Sequence, residues 1–222
     1  MNKDIGNWNG YFARHYLSKF NRADIKRAKN FIFGQFRILN GAFPIEKKDR
    51  ILEIGCALGA FVELIKENGS LDVSAIELDE DAADYTRKTQ EIEVFTSTIN
   101  DFSADEKYSK IYAFEVLEHL NDPTGDLEKI YSLLEPGGYF IGSTPHPFTR
   151  SIVSDSSHIF VLHPLNWARL FERAGFEVRL LRPVTGLPFL YRYARWLSIY
   201  FSFPVPILPL VSTTLFVVQK KK

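Results

Sequence analysis

The feature that most constrains the fold is an alternation of short apolar runs with helical segments, which continues from Arg50 almost to the end of the chain. The strand-like runs are Arg50–Ile54, Val73–Ile76, Ile92–Thr96, Ile111–Phe114, Tyr139–Gly142, Glu177–Leu181 and Thr213–Val218. The helical segments between them are Ala60–Asn68, Asp79–Thr89, Leu127–Leu134 and Pro164–Ala174. Strands that alternate with helices in this way predict a parallel sheet covered on both faces.

A separate helical region precedes the first strand. Arg14–Leu39 contains no proline, and its apolar positions recur at spacings of three and four residues. This period predicts one or two amphipathic helices, ended by Gly41 and Pro44.

The strongest functional signal is the run Leu52-Glu-Ile-Gly-Cys-Ala-Leu-Gly59, a strand that enters a glycine turn and then a helix. Glycines allow a ligand to approach the backbone closely, and a helix N-terminus adds a partial positive charge. Glu77 lies eighteen residues beyond Gly59, at the end of the second strand. In a nucleotide-binding α/β sheet this position places an acid on the ribose hydroxyls.

The turn differs from the dinucleotide-binding pattern, which has three glycines. Here an acid, Glu53, precedes the turn and Ala57 stands in its middle. A carboxylate at this place would repel a pyrophosphate, but it suits the ammonium group of an amino-acid moiety.

With these residues the sequence resembles the class I S-adenosylmethionine-dependent methyltransferases, including the ubiquinone-pathway O-methyltransferases, over about residues 48–183. The blocks that carry the resemblance are Arg50-Ile-Leu-Glu-Ile-Gly55, Val73–Asp79, Phe114-Glu-Val-Leu-Glu-His119, Leu134-Glu-Pro-Gly-Gly138 and Ala174-Gly-Phe-Glu-Val178. The resemblance implies a Rossmann-like, mostly parallel sheet of seven strands whose last strand is antiparallel, with helices on both faces.

The same resemblance implies the cofactor site. The methionine part would lie on the turn, the ribose on Glu77, and the adenine between Leu78 and the loop at Thr98–Ile99. The implied contact residues are Glu53, Gly55, Cys56, Ala57, Gly59, Glu77, Leu78, Thr98, Ile99 and Glu115. Two of them depart from the family pattern, since Ala57 replaces a glycine and Thr98 stands where an acid often meets the adenine amine.

A second group of polar residues follows the fourth strand. If the chain becomes helical there, Glu115, Glu118 and His119 share one face. Two carboxylates and an imidazole suit a hard divalent ion such as Mg²⁺ or Mn²⁺. The Glu-x-x-Glu-His pattern resembles that of small-RNA 2′-O-methyltransferases, in which a later His-x-Phe, here His158-Ile-Phe160, supplies a further ligand.

Without a metal, His119 or His158 is the expected general base, since neutral imidazole is available near pH 7, and Glu115 is expected to touch the cofactor. The other histidines are given no chemistry, because His146 and His163 flank prolines and His15 lies in the N-terminal helix. Cys56 is expected to be a small residue inside the turn.

Both ends of the chain are expected to act as lids. Trp8, Tyr11, Phe12 and Tyr16 precede the first strand and could pack over the cofactor, while an insertion rich in aromatic residues spans residues 184–211. Three interpretations of Leu187–Phe201 remain open: a cap over the acceptor, a subunit interface, or a peripheral contact with a membrane. Prolines at positions 204, 206 and 209 argue against a membrane-spanning helix.

The net charge of zero hides an uneven distribution. Residues 1–48 carry 10 basic and 3 acidic residues, residues 49–130 carry 7 and 20, and residues 131–222 carry 10 and 4, so the three segments have charges of +7, −13 and +6. An anionic partner such as nucleic acid, although not favoured, would therefore bind at the ends. The single cysteine and the absence of an apolar leader in the first ten residues predict a cytoplasmic protein.

The sequence predicts one methyltransferase domain, with an N-terminal lid (1–47), a cofactor-binding core (48–183), an apolar insertion (184–211) and a last strand with a basic tail (212–222). Its expected activity is methyl transfer from S-adenosylmethionine to an oxygen of a small or lipid-linked acceptor, as a monomer or homodimer. Two alternatives remain open: an RNA-directed 2′-O-methyltransferase with a divalent metal, and a cofactor-binding module without turnover.

Overall fold

The structure, a computed structural model, describes residues 22–67, 72–148, 157–187, 190–201 and 211–222. Its helices are α1 (Arg22–Ala42), α2 (Ala60–Lys66), α3 (Glu80–Gln90), α4 (Pro123–Leu133) and α5 (Pro164–Arg173). Its strands are β1 (Arg50–Ile54), β2 (Asp72–Glu77), β3 (Glu93–Thr96), β4 (Tyr108–Phe114), β5 (Leu134–Pro145), β6 (Glu177–Gly186), β7 (Tyr200–Phe201) and β8 (Val211–Gln219).

All of these strands join one sheet in the order β3-β2-β1-β4-β5-β8-β6-β7. Strands β1 to β5 pair in parallel, whereas β8 inserts antiparallel between β5 and β6. The predicted mostly parallel sheet with an antiparallel last strand is therefore confirmed. The described residues contain one strand more than the seven expected, because the two-residue β7 pairs antiparallel with the end of β6.

Alternate residues of the central strands enter two hydrophobic clusters on opposite faces of the sheet. Leu52 packs in the cluster that contains Trp167 and Phe171 of α5, and Ile51 packs in the cluster that contains Phe36 of α1. Both strand residues are fully buried. Because successive side chains of a strand point to opposite faces, helices cover both sides of β1 and fix the direction in which its carboxyl end points.

Several helix ends follow the predicted capping chemistry. The Asp79 carboxylate accepts a hydrogen bond from the Ala82 backbone N–H (2.9 Å) at the start of α3. Helix α5 begins with Pro164 and is followed by Gly175 at φ +98°. Helix α4 begins at Pro123, four residues before the predicted Leu127, and it ends at Leu133, one residue before the predicted Leu134, because Leu134 already pairs with Tyr108 in the sheet.

Helix α1 confirms the helical prediction from Arg22 onward, and the aromatic residues at positions 8 to 16 lie outside the described residues. The segment after β6 contains no continuous helix within its described residues 190–201. It forms two short 3₁₀ turns, Leu190–Arg192 and Arg195–Leu197, and Ser198 is buried. None of the helices in the described ranges is long and apolar enough to cross a membrane.

Candidate functional site

The glycine turn after β1 lies at the carboxyl edge of the sheet, and three of its residues have a left-handed backbone conformation. Gly55, Ala57 and Gly59 have φ values of +72°, +43° and +73°. A Cβ atom on Gly55 would lie 2.7 Å from Val116 Cγ2, so any side chain there would force Val116 to move as well as straining the backbone. An L-residue in this region costs about 1–2 kcal/mol, which is the conformational cost of Ala57.

The surrounding structure holds Ala57 in this conformation from both sides. Its backbone N–H donates to Glu77 Oε2 (2.7 Å), and its carbonyl accepts from Thr86 Oγ1 (2.8 Å). The Gly55 N–H donates to the Ile76 carbonyl (2.8 Å). The backbone N–H groups of Gly55 and Ala57 therefore already have acceptors within the protein. A ligand could lie close to this turn, but these two groups are not available to donate hydrogen bonds to it.

Glu77 ends β2 beside this turn, as predicted. Its Oε2 accepts from Ala57, and its Oε1 accepts from the backbone N–H groups of Leu78 (2.8 Å) and Asp79 (3.0 Å). Burial raises the pKa of Glu77, opposed by these three hydrogen bonds. A carboxylate has about four acceptor positions, so the fixed group can still accept a ligand hydroxyl.

Glu53 is the other acid at this edge, and it is 3% exposed. Its Oε2 has no hydrogen-bond partner among the described residues. Burial, followed by the nearby charge of Glu77, raises the pKa of Glu53 well above its usual range. An orphaned buried carboxyl oxygen beside a glycine turn is a site for a cationic or hydrogen-bond-donating group.

Cys56 lies inside the turn and is buried. Burial, and then the carboxyl groups of Glu53 and Glu77, raise the pKa of its thiol. The thiol therefore stays protonated and is a small buried side chain without nucleophilic character, as predicted.

The expected adenine position lies between the ends of β2 and β3. The Ser97 N–H donates to the Glu77 carbonyl (3.2 Å), so the two loops are neighbours. Leu78 is 41% exposed and Ile99 is buried. Thr98 Oγ1 donates to Asp101 Oδ2 (2.6 Å) and accepts from the Asp101 N–H (3.1 Å).

Thr98 occupies the position where the family often has an acid near the adenine amine, and Asp101 provides a carboxylate beside it. The sequence interpretation overlooked this residue. Its signal was the Thr-x-x-Asp spacing, which is typical of reciprocal side-chain and backbone hydrogen bonds in a turn.

The predicted helix after β4 is wrong at its first residue. Glu115 has φ +55°, and only the 3₁₀ turn Leu117–His119 follows. Glu115 and Glu118 therefore do not lie on one helical face. The left-handed backbone at Glu115 turns the chain out of β4, where the Glu115 N–H donates to the Ser143 carbonyl (3.0 Å). Strained residues of this kind concentrate at functional sites.

The Glu115 side chain joins three parts of the fold. Its Oε1 accepts from Ser143 Oγ (2.7 Å) on β5 and from Thr213 Oγ1 (2.9 Å) on β8. Burial raises the pKa of Glu115, and these two hydroxyls, Gln35 of α1 and His158 oppose that shift. Sequence reasoning did not find Ser143, Thr213 or Gln35, because only the sheet order brings them to Glu115.

His158 lies beside His119 despite a separation of 39 positions. The Glu118 carbonyl accepts from the N–H groups of Ile159 (2.8 Å) and Phe160 (3.0 Å), which fixes the later loop against the 3₁₀ turn. The two imidazole rings stand 4.8 Å apart between centroids, at 68°. The structure thus brings together the two histidines that the sequence pairs.

Potential ligand atoms of Glu118, His119 and His158 all lie within 4.8 Å of one another. Glu118 is fully buried, and Thr144 Oγ1 donates to its Oε2 (3.2 Å). Glu115, the fourth expected metal ligand, is not in this group. Its Oε1 already accepts from two hydroxyls.

A backbone carbonyl orients the His119 ring. Its Nδ1 lies 3.2 Å from the Ser157 carbonyl oxygen, which can only accept, so Nδ1 carries the proton in this bond. In the neutral ring Nε2 is then the basic nitrogen, and it lies 3.9 Å from Glu118 Oε1. This arrangement serves either a general base or a metal ligand.

The remaining described histidines hold backbone turns, in agreement with the sequence interpretation. His146 Nδ1 accepts from the Phe148 N–H (3.3 Å), and His163 Nδ1 accepts from the Leu165 N–H (3.3 Å) at the start of α5. Burial, and then His163, lower the pKa of His146. Neither ring is in the group formed by Glu118, His119 and His158.

Comparison with protein families gives a match over most of the chain. A sequence model described as a methyltransferase domain matches residues 14–181. A probable S-adenosylmethionine-dependent methyltransferase of Mycolicibacterium smegmatis is 28% identical over 134 residues, 58% of this chain and 52% of the relative. A ubiquinone biosynthesis O-methyltransferase of Actinobacillus pleuropneumoniae is 28% identical over 148 residues, 61% and 57% of the two chains. The chain thus spans about half the length of these curated relatives.

Solved structures show the same fold at lower identity. An S-adenosylmethionine-dependent methyltransferase of Thermotoga maritima, described as a possible histamine N-methyltransferase, superposes with a TM-score of 0.68 at 17% identity, over 96% of this chain and 99% of that chain. The N-methyltransferase NodS of Bradyrhizobium japonicum, solved with S-adenosyl-L-homocysteine, gives 0.62 at 15% identity, over 93% and 92%.

Proposed function

This chain belongs to the methyltransferase domain family, and from that premise we propose that it transfers the methyl group of S-adenosylmethionine to an oxygen of a small or lipid-linked acceptor. The observation that carries the proposal is that a candidate cofactor site and a candidate base lie at the same edge of the sheet. Glu53 and Glu77 frame the glycine turn, and the oriented His119 follows the neighbouring strand β4.

The residues present fit this cofactor. The orphaned Oε2 of Glu53 suits an ammonium group, and Glu77 suits ribose hydroxyls. Gly55 and Gly59 take the left-handed conformations that bend the turn, and a Cβ on either would press against neighbouring side chains of the protein. When bound there, S-adenosylmethionine supplies an electrophilic methyl group on a sulfonium ion.

The protein's own contribution would be positioning and proton removal. His119 Nε2 would accept the proton of an acceptor hydroxyl as the oxygen attacks, and the Ser157 carbonyl would hold the ring in the required tautomer. Glu115, fixed by Ser143 and Thr213, would form part of the wall between cofactor and acceptor. Holding the reacting atoms in line supplies most of the acceleration in such reactions.

The ubiquinone biosynthesis O-methyltransferase among the relatives supports oxygen as the target atom and a lipid-linked molecule as one acceptor class. The N-methyltransferases resemble this chain in fold only. A base is required for a hydroxyl acceptor, whereas an amine needs none in its neutral form. The oriented imidazole therefore favours oxygen.

The second candidate function is metal-dependent 2′-O-methylation of RNA, and the grouping of Glu118, His119 and His158 favours it. One carboxylate and two imidazoles fit a divalent ion that accepts nitrogen ligands, such as Mn²⁺, better than Mg²⁺. These three residues would hold the ion, which would lower the pKa of a bound hydroxyl. The cationic first 48 residues would contact the phosphates.

Transfer of a labelled methyl group distinguishes these acceptors. The protein is incubated with methyl-labelled S-adenosylmethionine and a cell extract, which is then separated into lipid, aqueous small-molecule and RNA fractions. We expect the label in the lipid or small-molecule fraction. Label confined to RNA would support the second candidate, and label on nitrogen or carbon would contradict O-methylation.

Cofactor binding is expected to release protons. In the free protein the raised pKa of Glu53 favours its neutral form, whereas a bound ammonium group favours the carboxylate. Affinity should therefore rise with pH from the ordinary carboxyl range up to the raised pKa of Glu53. The free protein should lose stability over the same range, because its folded state holds more protons than the unfolded chain.

Calorimetry at about pH 6 in buffers with different ionisation enthalpies measures this release. Glu53→Gln, which keeps the side-chain shape, should reduce the number of protons released. An observed binding enthalpy that is the same in every buffer would contradict the role given to Glu53.

A further inference from the structure

The segment of residues 190–201 exposes an unusual concentration of large apolar side chains. Of the nine that are exposed in the described part of the chain, five lie within these twelve residues: Leu190, Tyr193, Trp196, Ile199 and Phe201. Tyr193 and Trp196 are 75% and 71% exposed. Clustered exposed apolar residues mark a surface that meets another molecule.

The exposure does not arise from a detached loop, since α1 holds this segment firmly. Ser198 Oγ donates to the Asn30 carbonyl (2.6 Å), and Tyr200 OH donates to the Phe31 carbonyl (3.2 Å). A Cβ atom on Gly34 would overlap Tyr200 and Ser198, so the segment and the helix are in close contact. Tyr193 and Trp196 are thus presented outward from a fixed backbone.

The same surface is cationic. The 190–201 segment contains two basic residues and no acidic residue, and residues 26–42 of α1 contain four basic residues and none that is acidic. The exposed members are Lys26, Arg27, Arg37, Arg192 and Arg195. Glu67, the residue that follows α2, forms ion pairs with Lys29 (2.7 Å) and Arg195 (2.6 Å).

Aromatic side chains on a cationic rim match the chemistry of one partner, an anionic lipid surface. Tyrosine and tryptophan favour the boundary between headgroups and acyl chains, and each basic residue near an anionic membrane is attracted to it. A second copy of this chain would bring the same cations face to face, which disfavours a symmetric contact here.

We propose that residues 190–201, together with the exposed cations of α1, dock the protein peripherally on anionic lipid bilayers. The proposal does not depend on the acceptor or on methyl transfer. It gives the apolar insertion a role outside the cofactor site.

Vesicle flotation tests the proposal with purified protein, once with phosphatidylcholine vesicles and once with mixed phosphatidylcholine–phosphatidylglycerol vesicles. We expect binding only to the mixed vesicles, and weaker binding at high salt. Trp196→Ser together with Tyr193→Ser should weaken binding at least about tenfold. Lys26→Glu with Arg192→Glu should remove the preference for phosphatidylglycerol.

Leu165→Ser is the matched control, because Leu165 is 61% exposed on α5, which packs on the opposite face of the sheet from α1. It should bind vesicles like the unaltered protein, and all variants should keep their thermal midpoint and their affinity for S-adenosylmethionine. Equal binding to both kinds of vesicle, no binding at all, or an equal loss in Leu165→Ser would overturn the proposal. A dimer without lipid that Trp196→Ser dissociates would assign the surface to a second copy and overturn it as well.

Discussion

Glu77→Ala should weaken the binding of S-adenosylmethionine by about a hundredfold or more, or ~2.7 kcal/mol. Glu77 is the acid on which the ribose hydroxyls are placed, and its carboxylate also fixes the turn through the Ala57 N–H. The substitution removes charge-assisted hydrogen bonds to the ligand, worth about 1.5–3 kcal/mol each. It also removes one of the two hydrogen bonds that hold Ala57 in its left-handed conformation. Isothermal titration calorimetry measures the affinity.

Glu80→Ala is the matched control for this experiment. Glu80 is an exposed acid three positions further along the chain, in the first turn of α3. Its replacement should leave the affinity unchanged. Unchanged affinity in Glu77→Ala would show that the ribose is bound elsewhere.

His119→Ala should lower turnover by about 10²–10⁴-fold while leaving the affinity for S-adenosylmethionine unchanged. The imidazole is the group placed to take the acceptor proton, but it is not assigned to the cofactor. Turnover is measured as S-adenosylhomocysteine formed in the presence of the acceptor fraction. His163→Asn, which keeps a side chain able to cap α5, should retain full activity.

A chelator distinguishes the two roles of His119. If His119 acts as a base without metal, chelation leaves the unaltered enzyme active. If Glu118, His119 and His158 hold a divalent ion, chelation should reproduce the loss and added Mn²⁺ should restore activity. Full turnover in His119→Ala contradicts both roles.

The sequence was sufficient for the parts of the fold that local chemistry determines. The strand, glycine turn and helix around Gly55, the position of Glu77 at a strand end, and the Asp79 cap all depend on residues within a few positions of one another. The pairing of His119 with His158 was also predicted, although only through a family pattern, and the structure explains it through the backbone hydrogen bonds to Glu118.

The rest depends on contacts between distant parts of the chain. Periodicity cannot show that Glu115 adopts φ +55°, because this conformation is maintained by β5 and β8 rather than by its neighbours in sequence. The apolar run after β6 has a composition compatible with a helix, yet it forms two 3₁₀ turns because its backbone follows the surface of α1. The conformation of Glu115 and the path of residues 190–201 are thus determined by tertiary contacts, which local sequence patterns do not reveal.

The most direct test of methyl transfer is the molar ratio of S-adenosylhomocysteine formed to methyl groups incorporated into the acceptor. With the unaltered protein and an extract that contains the acceptor, we expect equal amounts of the two products, and far less of both with Glu77→Ala at a limiting concentration of S-adenosylmethionine. If S-adenosylmethionine binds at the Glu77 site but the protein forms no S-adenosylhomocysteine with any extract, it is a cofactor-binding module and the proposed activity is wrong.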